Sequence, residues 1–197
     1  PNTNSDLTTN LISHWRLEES TGFRYDSWGE NHLAPYAANG VLPSITDGLI
    51  GSANTFRSAN SSYLTISNNT VNNGGNLNTG DIDFTISAWV RPTAFAVRSS
   101  PLSIAVIASK GGIRGNSQNT FEWVLSIFSA TSQSQIQVSP NGTDKYFARS
   151  GVVVPPGQWS MITAFHDAAN NEINVRVNAN TGFTASYSLG LSPTGGS

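Results

Sequence analysis

Apolar residues recur at every second position in segment after segment of this chain, and clusters of Gly, Asn, Pro and Ser separate the segments. A period of two is the mark of a strand with one buried face. In LISHWRL (11–17), Leu11, Ser13, Trp15 and Leu17 fall on one face and Ile12, His14 and Arg16 on the other. In GDIDFTISAWVRP (80–92), Phe84, Ile86, Ala88 and Val90 alternate with Thr85, Ser87, Trp89 and Arg91, so the first set is expected to face a core. The same reading predicts strands at YLTI (63–66), LSIAVIASK (102–110), TFEWVLSIF (120–128), SQIQVS (134–139), KYFARS (145–150), QWSMITAFHD (158–167), EINVRVN (172–178) and FTASYSL (183–189). Turn signals lie between them, at NNGGN (72–76), KGG (110–112), SPNGT (139–143), VPPGQ (154–158) and DAANN (167–171). No segment sustains a 3.6-residue period beyond one short turn, so the expected architecture is all-β, a two-sheet antiparallel sandwich.

Composition narrows the classes. A chain of 197 residues suits one large domain, here residues 11–197 behind an N-terminal extension or linker at 1–10. A net charge of −2 with only 11% charged residues offers no basic stripe, which argues against nucleic acid and anionic membranes as partners. No run of eighteen apolar residues exists, so no membrane insertion is expected. The start, PNTNSDLTTN, lacks a basic n-region and an initiating Met, which reads as a processed piece of a longer polypeptide. The absence of Cys rules out disulfides, Cys-based zinc sites and a cysteine nucleophile. Low charge with abundant Ser, Thr, Asn and Gly fits an extracellular or cell-surface β-rich domain. The triplets Asn60-Ser61-Ser62, Asn68-Asn69-Thr70 and Asn141-Gly142-Thr143 satisfy the glycosylation sequon and mark exposed loops.

Laid in order, these segments resemble the LamG-like jelly-roll family, the concanavalin A-like lectin/glucanase sandwich. The resemblance runs over residues 11–178, through LISHWRLEESTGFRYDSWGENHL, GLIGSANTF with SSYLTI, GDIDFTISAWVRP, IASKGG and GQWSMITAFHDAANNEINVRVN. Each piece is weak alone; FTISAWV followed by GQW and VRVN is specific in combination. The resemblance implies a jelly-roll sandwich that acts as a carbohydrate- or protein-binding module of an extracellular protein, with calcium at a loop in some members. It also implies that Trp15, Trp89 and Trp159 serve packing. Family members continue past the V-x-V-N strand into a closing strand, whereas this sequence ends at SPTGGS. The 11–17 strand is therefore expected to be completed by a further segment or by another chain through β-augmentation.

Glucan hydrolases sharing this sandwich place two Glu on one strand face, and a retaining mechanism needs two carboxylates about 5 Å apart. GDIDFTIS offers only Asp81 and Asp83, followed by Thr85 and Ser87. These aspartates read as a polar strand entrance whose side chains accept loop N–H groups. His14, His32 and His166 lack H-E-x-x-H spacing, there is no G-x-S-x-G elbow, and GGIRG (111–115) lacks the P-loop pattern. Glu122 and the His166-Asp167 pair read as a solvated or hydrogen-bonded rim rather than acid-base groups. No enzyme is expected.

Binding chemistry is better represented. LEESTGFRYDSWGEN gathers Glu18, Glu19, Asp26, Glu30 and Asn31 around two glycines. Calcium takes six to eight oxygens from such loops, with Glu19, Asp26 and Asn31 the expected ligands. The competing reading is an ordinary Asx-type turn at Asp26 and Ser27. A sugar needs an exposed aromatic face beside amides or carboxylates, and Trp28, Tyr36 and Trp123 are the candidates. The expectation is a non-enzymatic glycan-binding module of a larger secreted or surface protein. The alternative is a structural or adhesive module that joins protein domains or subunits in a surface layer, filament or virion.

Overall fold

The computed structural model describes residues 8–66, 77, 80–93, 104–112, 120–142, 144–188, 190 and 191. It is all-β, with a 3-10 turn at Ser58–Asn60 and no α-helix among the described residues. The chain divides into two compact units, Pro1–Asn78 and Thr79–Ser197.

The N-terminal unit holds four short strands, β1 (Ala34–Ala37), β2 (Ser44–Asp47), β3 (Ser52–Thr55) and β4 (Ser62–Thr65). They form two antiparallel pairs, β1 with β4 and β2 with β3. Only β4 follows from the alternation; β1 contains Pro35, and the SITD and SANT strands are too short and polar to show a period. A buried arginine ties the loops together. Arg24 is 1% exposed, donates from Nε to Asn54 Oδ1 at 2.8 Å and from Nη2 to the Pro43 carbonyl at 3.4 Å, and Asn54 Nδ2 donates to the Leu17 carbonyl at 2.7 Å.

LISHWRL forms no continuous strand. Its expected faces do appear, with the odd-numbered residues half-buried and the even-numbered ones exposed. Its pairing among the described residues is a single bridge from Trp15 to Asp26. The reason is local: Leu17 takes a left-handed φ of 59°, which turns the chain away, and the Asp26 carboxylate takes the amide of His14.

The C-terminal unit is the sandwich. One sheet runs β12 (Phe183–Ser186), β11 (Glu172–Val177), β10 (Ser160–Asp167), β5 (Phe84–Val90); the other runs β6 (Ile104–Gly112), β7 (Thr120–Phe128), β8 (Gln133–Val138), β9 (Tyr146–Val153). All neighbours are antiparallel, and β11 lies over β8 and β9. Alternation works as expected: Phe84, Ile86, Ala88 and Val90 turn inward, and Ser160, Ile162, Ala164 and His166 are the buried set of β10. Leu125, Ile127, Ile136, Val138 and Ala148 from one sheet meet Ile162, Ala164, Ile173, Val175 and Val177 from the other, all at most 3% exposed. Burial of this apolar area is the main term holding the sheets face to face.

Turns behave largely as read. In VPPGQ, Gly157 at φ 75° lets its amide reach the Pro92 carbonyl at 2.7 Å. In DAANN, Asp167 Oδ1 accepts the Asn170 amide at 3.0 Å and Asn171 is left-handed. KGG differs: β6 runs on through Gly112 with a register shift between Lys110 and Gly111, so this stretch is a bulge and not a turn. NNGGN lies outside the described residues.

Candidate functional site

The acids at the start of β5 are structural. Asp83 Oδ1 accepts the Ala168 amide at 2.9 Å and Asp81 Oδ1 the Leu191 amide at 2.9 Å. Glu122 and His166 are each 2% exposed, so of the expected solvated or hydrogen-bonded rim only the hydrogen bonding is found, and it is buried. The cause is register and phase: His166 belongs to the inward set of β10, and Glu122 finds Lys110 Nζ at 3.1 Å and the Gly80 amide at 2.8 Å. His166 is bonded through both ring nitrogens, to the Ile82 carbonyl and the Tyr187 hydroxyl, with Asp81 Oδ1 4.0 Å from Nε2.

In the N-terminal unit the residues expected to hold calcium are engaged in a turn. Asp26 Oδ1 accepts the amides of His14 at 2.8 Å and Trp28 at 3.0 Å, and Oδ2 accepts that of Asn31 at 3.2 Å. Burial pushes this carboxyl up, but the amides of Gly29, His14 and Trp28 and the Ser13 hydroxyl outweigh it and lower the pKa to about 2. Asn31 is 2% exposed and donates to Ser13 Oγ at 2.6 Å; Glu19 Oε1 accepts the Tyr25 amide at 2.9 Å. Among the described residues, no three His, Cys, Asp or Glu side chains gather as a metal-holding group. The donor set thus fits the Asx-type turn that competes with the calcium reading.

The aromatic candidates separate. Trp28 is 52% exposed in its loop, and Tyr36 is 48% exposed and packs on Tyr63, directly across from it in the β1–β4 pair, with ring centroids 4.7 Å apart. Trp123 faces inward instead: position 123 shares the phase of Phe121 and Leu125, and its ring packs on the core and on Phe84, centroids 5.9 Å apart. Trp89, expected to pack, stands half-exposed on the outer face of β5 because the alternation that buries Ala88 and Val90 turns it out.

One constellation escaped the sequence reading. On the outer face of the β6–β9 sheet, Val106, Ser126, Gln135 and Arg149 lie in one cross-strand row, with Val124, Gln137 and Phe147 in the next. The Arg149 guanidinium lies 3.9 Å from the centroid of Phe128 and 4.6 Å from that of Phe147, and its Nε donates to Gln135 Oε1 at 3.0 Å. Phe147 is 50% exposed, while Ser126 is fully buried and its hydroxyl has no partner. Gln133, Gln135 and Gln137 alternate along β8, as do Phe147 and Arg149 along β9, so a polar-aromatic face was written in the period. What the sequence withheld was the register that aligns the strands.

Residues 58–197 match the family described as the concanavalin A-like lectin/glucanases superfamily. No curated protein matches the chain. Among solved structures, one similar fold is domain 4 of AbnA, a GH43 extracellular arabinanase from Geobacillus stearothermophilus, solved in complex with arabinotriose. It is 15% identical, with a TM-score of 0.50, over 85% of this chain and 72% of that one.

Proposed function

We propose, for a chain that belongs to the concanavalin A-like lectin/glucanases superfamily, that it is a non-catalytic glycan-binding module of a larger secreted or surface protein. The observation that carries this reading is the β6–β9 outer face, where half-exposed Phe147 stands beside half-buried Arg149 and Gln137. A pyranose needs one apolar surface and several convergent hydrogen-bonding groups, and this face supplies both. The solved complex of a similar fold with arabinotriose supports it by analogy. Non-catalytic action is supported by the acids of the sandwich: Asp81 and Asp83 are bonded to backbone amides and Glu122 to Lys110, so these three serve structure. The test is calorimetric titration with a panel of plant and bacterial oligosaccharides. Phe147→Ala is expected to weaken the best ligand about tenfold with the melting temperature kept within a few degrees; an unchanged affinity would remove this face from the reading.

The adhesive alternative has its own support in the N-terminal unit, where Phe23, Tyr25, Trp28 and Ile50 are 52% to 83% exposed. A protein-binding role would make these side chains, and not Phe147, the ones whose replacement abolishes association.

A further inference from the structure

Resting on the glycan-binding reading, we propose that the β6–β9 face recognises a sugar carrying a carboxylate, a uronic acid residue, and that Arg149 reads that carboxylate. Arg149 is a preorganised cation. Stacking against Phe128 and Phe147 and the bond from Nε to Gln135 fix the plane of its guanidinium. Only Nε is used: among the described residues the two terminal nitrogens meet no protein acceptor. A fork held flat with its outer donors unspent matches a carboxylate through two parallel N–H···O bonds, a geometry that a lone sugar hydroxyl does not reproduce.

The surroundings select the same ligand. Glu122, whose position on β7 places it on this face, is matched by Lys110 at 3.1 Å, and among the described residues no carboxylate pairs with Arg149. Ser126 and Gln135 lie in the same cross-strand row as Arg149, both buried. Half-buried Gln137 and half-exposed Phe147 flank the row with an amide and an apolar edge. An acidic peptide would use the cation alone; a uronate would use cation, amide and ring edge together.

The test compares two ligands on the unaltered chain by calorimetry: a tetragalacturonate, and the same oligomer with its carboxylates reduced to primary alcohols. The acidic oligomer is expected to bind at least about tenfold tighter, with the advantage shrinking as salt is raised. Arg149→Lys keeps the charge but not the fork and should lose most of that advantage. Equal affinity for the two oligomers overturns the uronate assignment while leaving glycan binding in place. Binding of neither, nor of any neutral oligosaccharide in the panel, overturns the glycan reading itself. An oligoglutamate that binds as tightly as the tetragalacturonate overturns the sugar assignment by showing that charge alone is read. Because the first comparison needs no variant, the outcome is decided even if Arg149→Lys does not fold.

Discussion

His166 and Tyr187 share a buried hydrogen bond, their rings stacked with centroids 5.9 Å apart, and with a neutral imidazole the bond has only one workable direction. The other ring nitrogen of His166 lies 2.7 Å from the Ile82 carbonyl, which can only accept, so Nδ1 carries the proton and Nε2 accepts from the phenol. Burial, reinforced by the charge of Asp81, pushes the Tyr187 hydroxyl well above its ordinary pKa and keeps it a donor. Tyr187→Phe should therefore strand Nε2 and cost about 1–3 kcal/mol in urea unfolding. Glycan affinity should be unaltered, because this pair lies between the sheets and not on the β6–β9 outer face. Unchanged stability would mean the bond is not made.

Asp26 predicts an acid-sensitive N-terminal unit. Its folded pKa, about 2, lies below its ordinary value of 3.8, so its contribution is fully present above pH 4 or so and is lost as pH falls toward 2. A shift of this size corresponds to about 2 kcal/mol. Stability measured against pH should fall across that window in the wild type, whereas Asp26→Asn should start lower and show a flatter profile, with the two curves meeting near pH 2.

Tyr36 and Tyr63 separate stability from binding. Their cross-strand contact should be worth about 0.5–1.5 kcal/mol, so Tyr36→Ala should lower the unfolding midpoint of the N-terminal unit. If sugars dock on the β6–β9 face, the same variant leaves glycan affinity unchanged. A large loss of affinity in Tyr36→Ala would move the binding site to the β1–β4 pair.

The Lys110–Glu122 ion pair is buried enough to be costly when broken. Glu122→Ala leaves Lys110, with a side chain only 16% exposed, without its carboxylate and should cost about 3 kcal/mol. The double change Lys110→Met with Glu122→Gln removes both charges while an amide oxygen still accepts from Gly80, and should recover most of that loss. Guanidinium unfolding of the three proteins tests this.

The strands of the sandwich were legible because their cores obey a strict period. TFEWVLSIF is β7 to the residue, and β10 and β11 differ from expectation only at their ends. The N-terminal unit was not, because buried Arg24, Asn54 and Asp26 organise it through hydrogen bonds between distant loops, and such bonds leave no period behind. The candidate site was half legible. The phase of β8 and β9 already put Gln135, Phe147 and Arg149 on one face, but Ser126 joins them only through a register that no local pattern specifies.

The pairing of β5 with β10 has a cost in time. Thr85 opposes Phe165, so everything between them must be synthesised before β5 gains the one neighbour that its sheet order gives it. During that wait FTISAWV is a β-branched and aromatic ribbon with an open edge, the kind of segment that finds wrong partners while a chain is incomplete. The outward-facing Thr85 and Ser87 soften this hazard and Trp89 sharpens it. Slow, non-local closure of this kind makes yield during expression depend on how long β5 stays unpaired, more than on the stability of the finished sandwich.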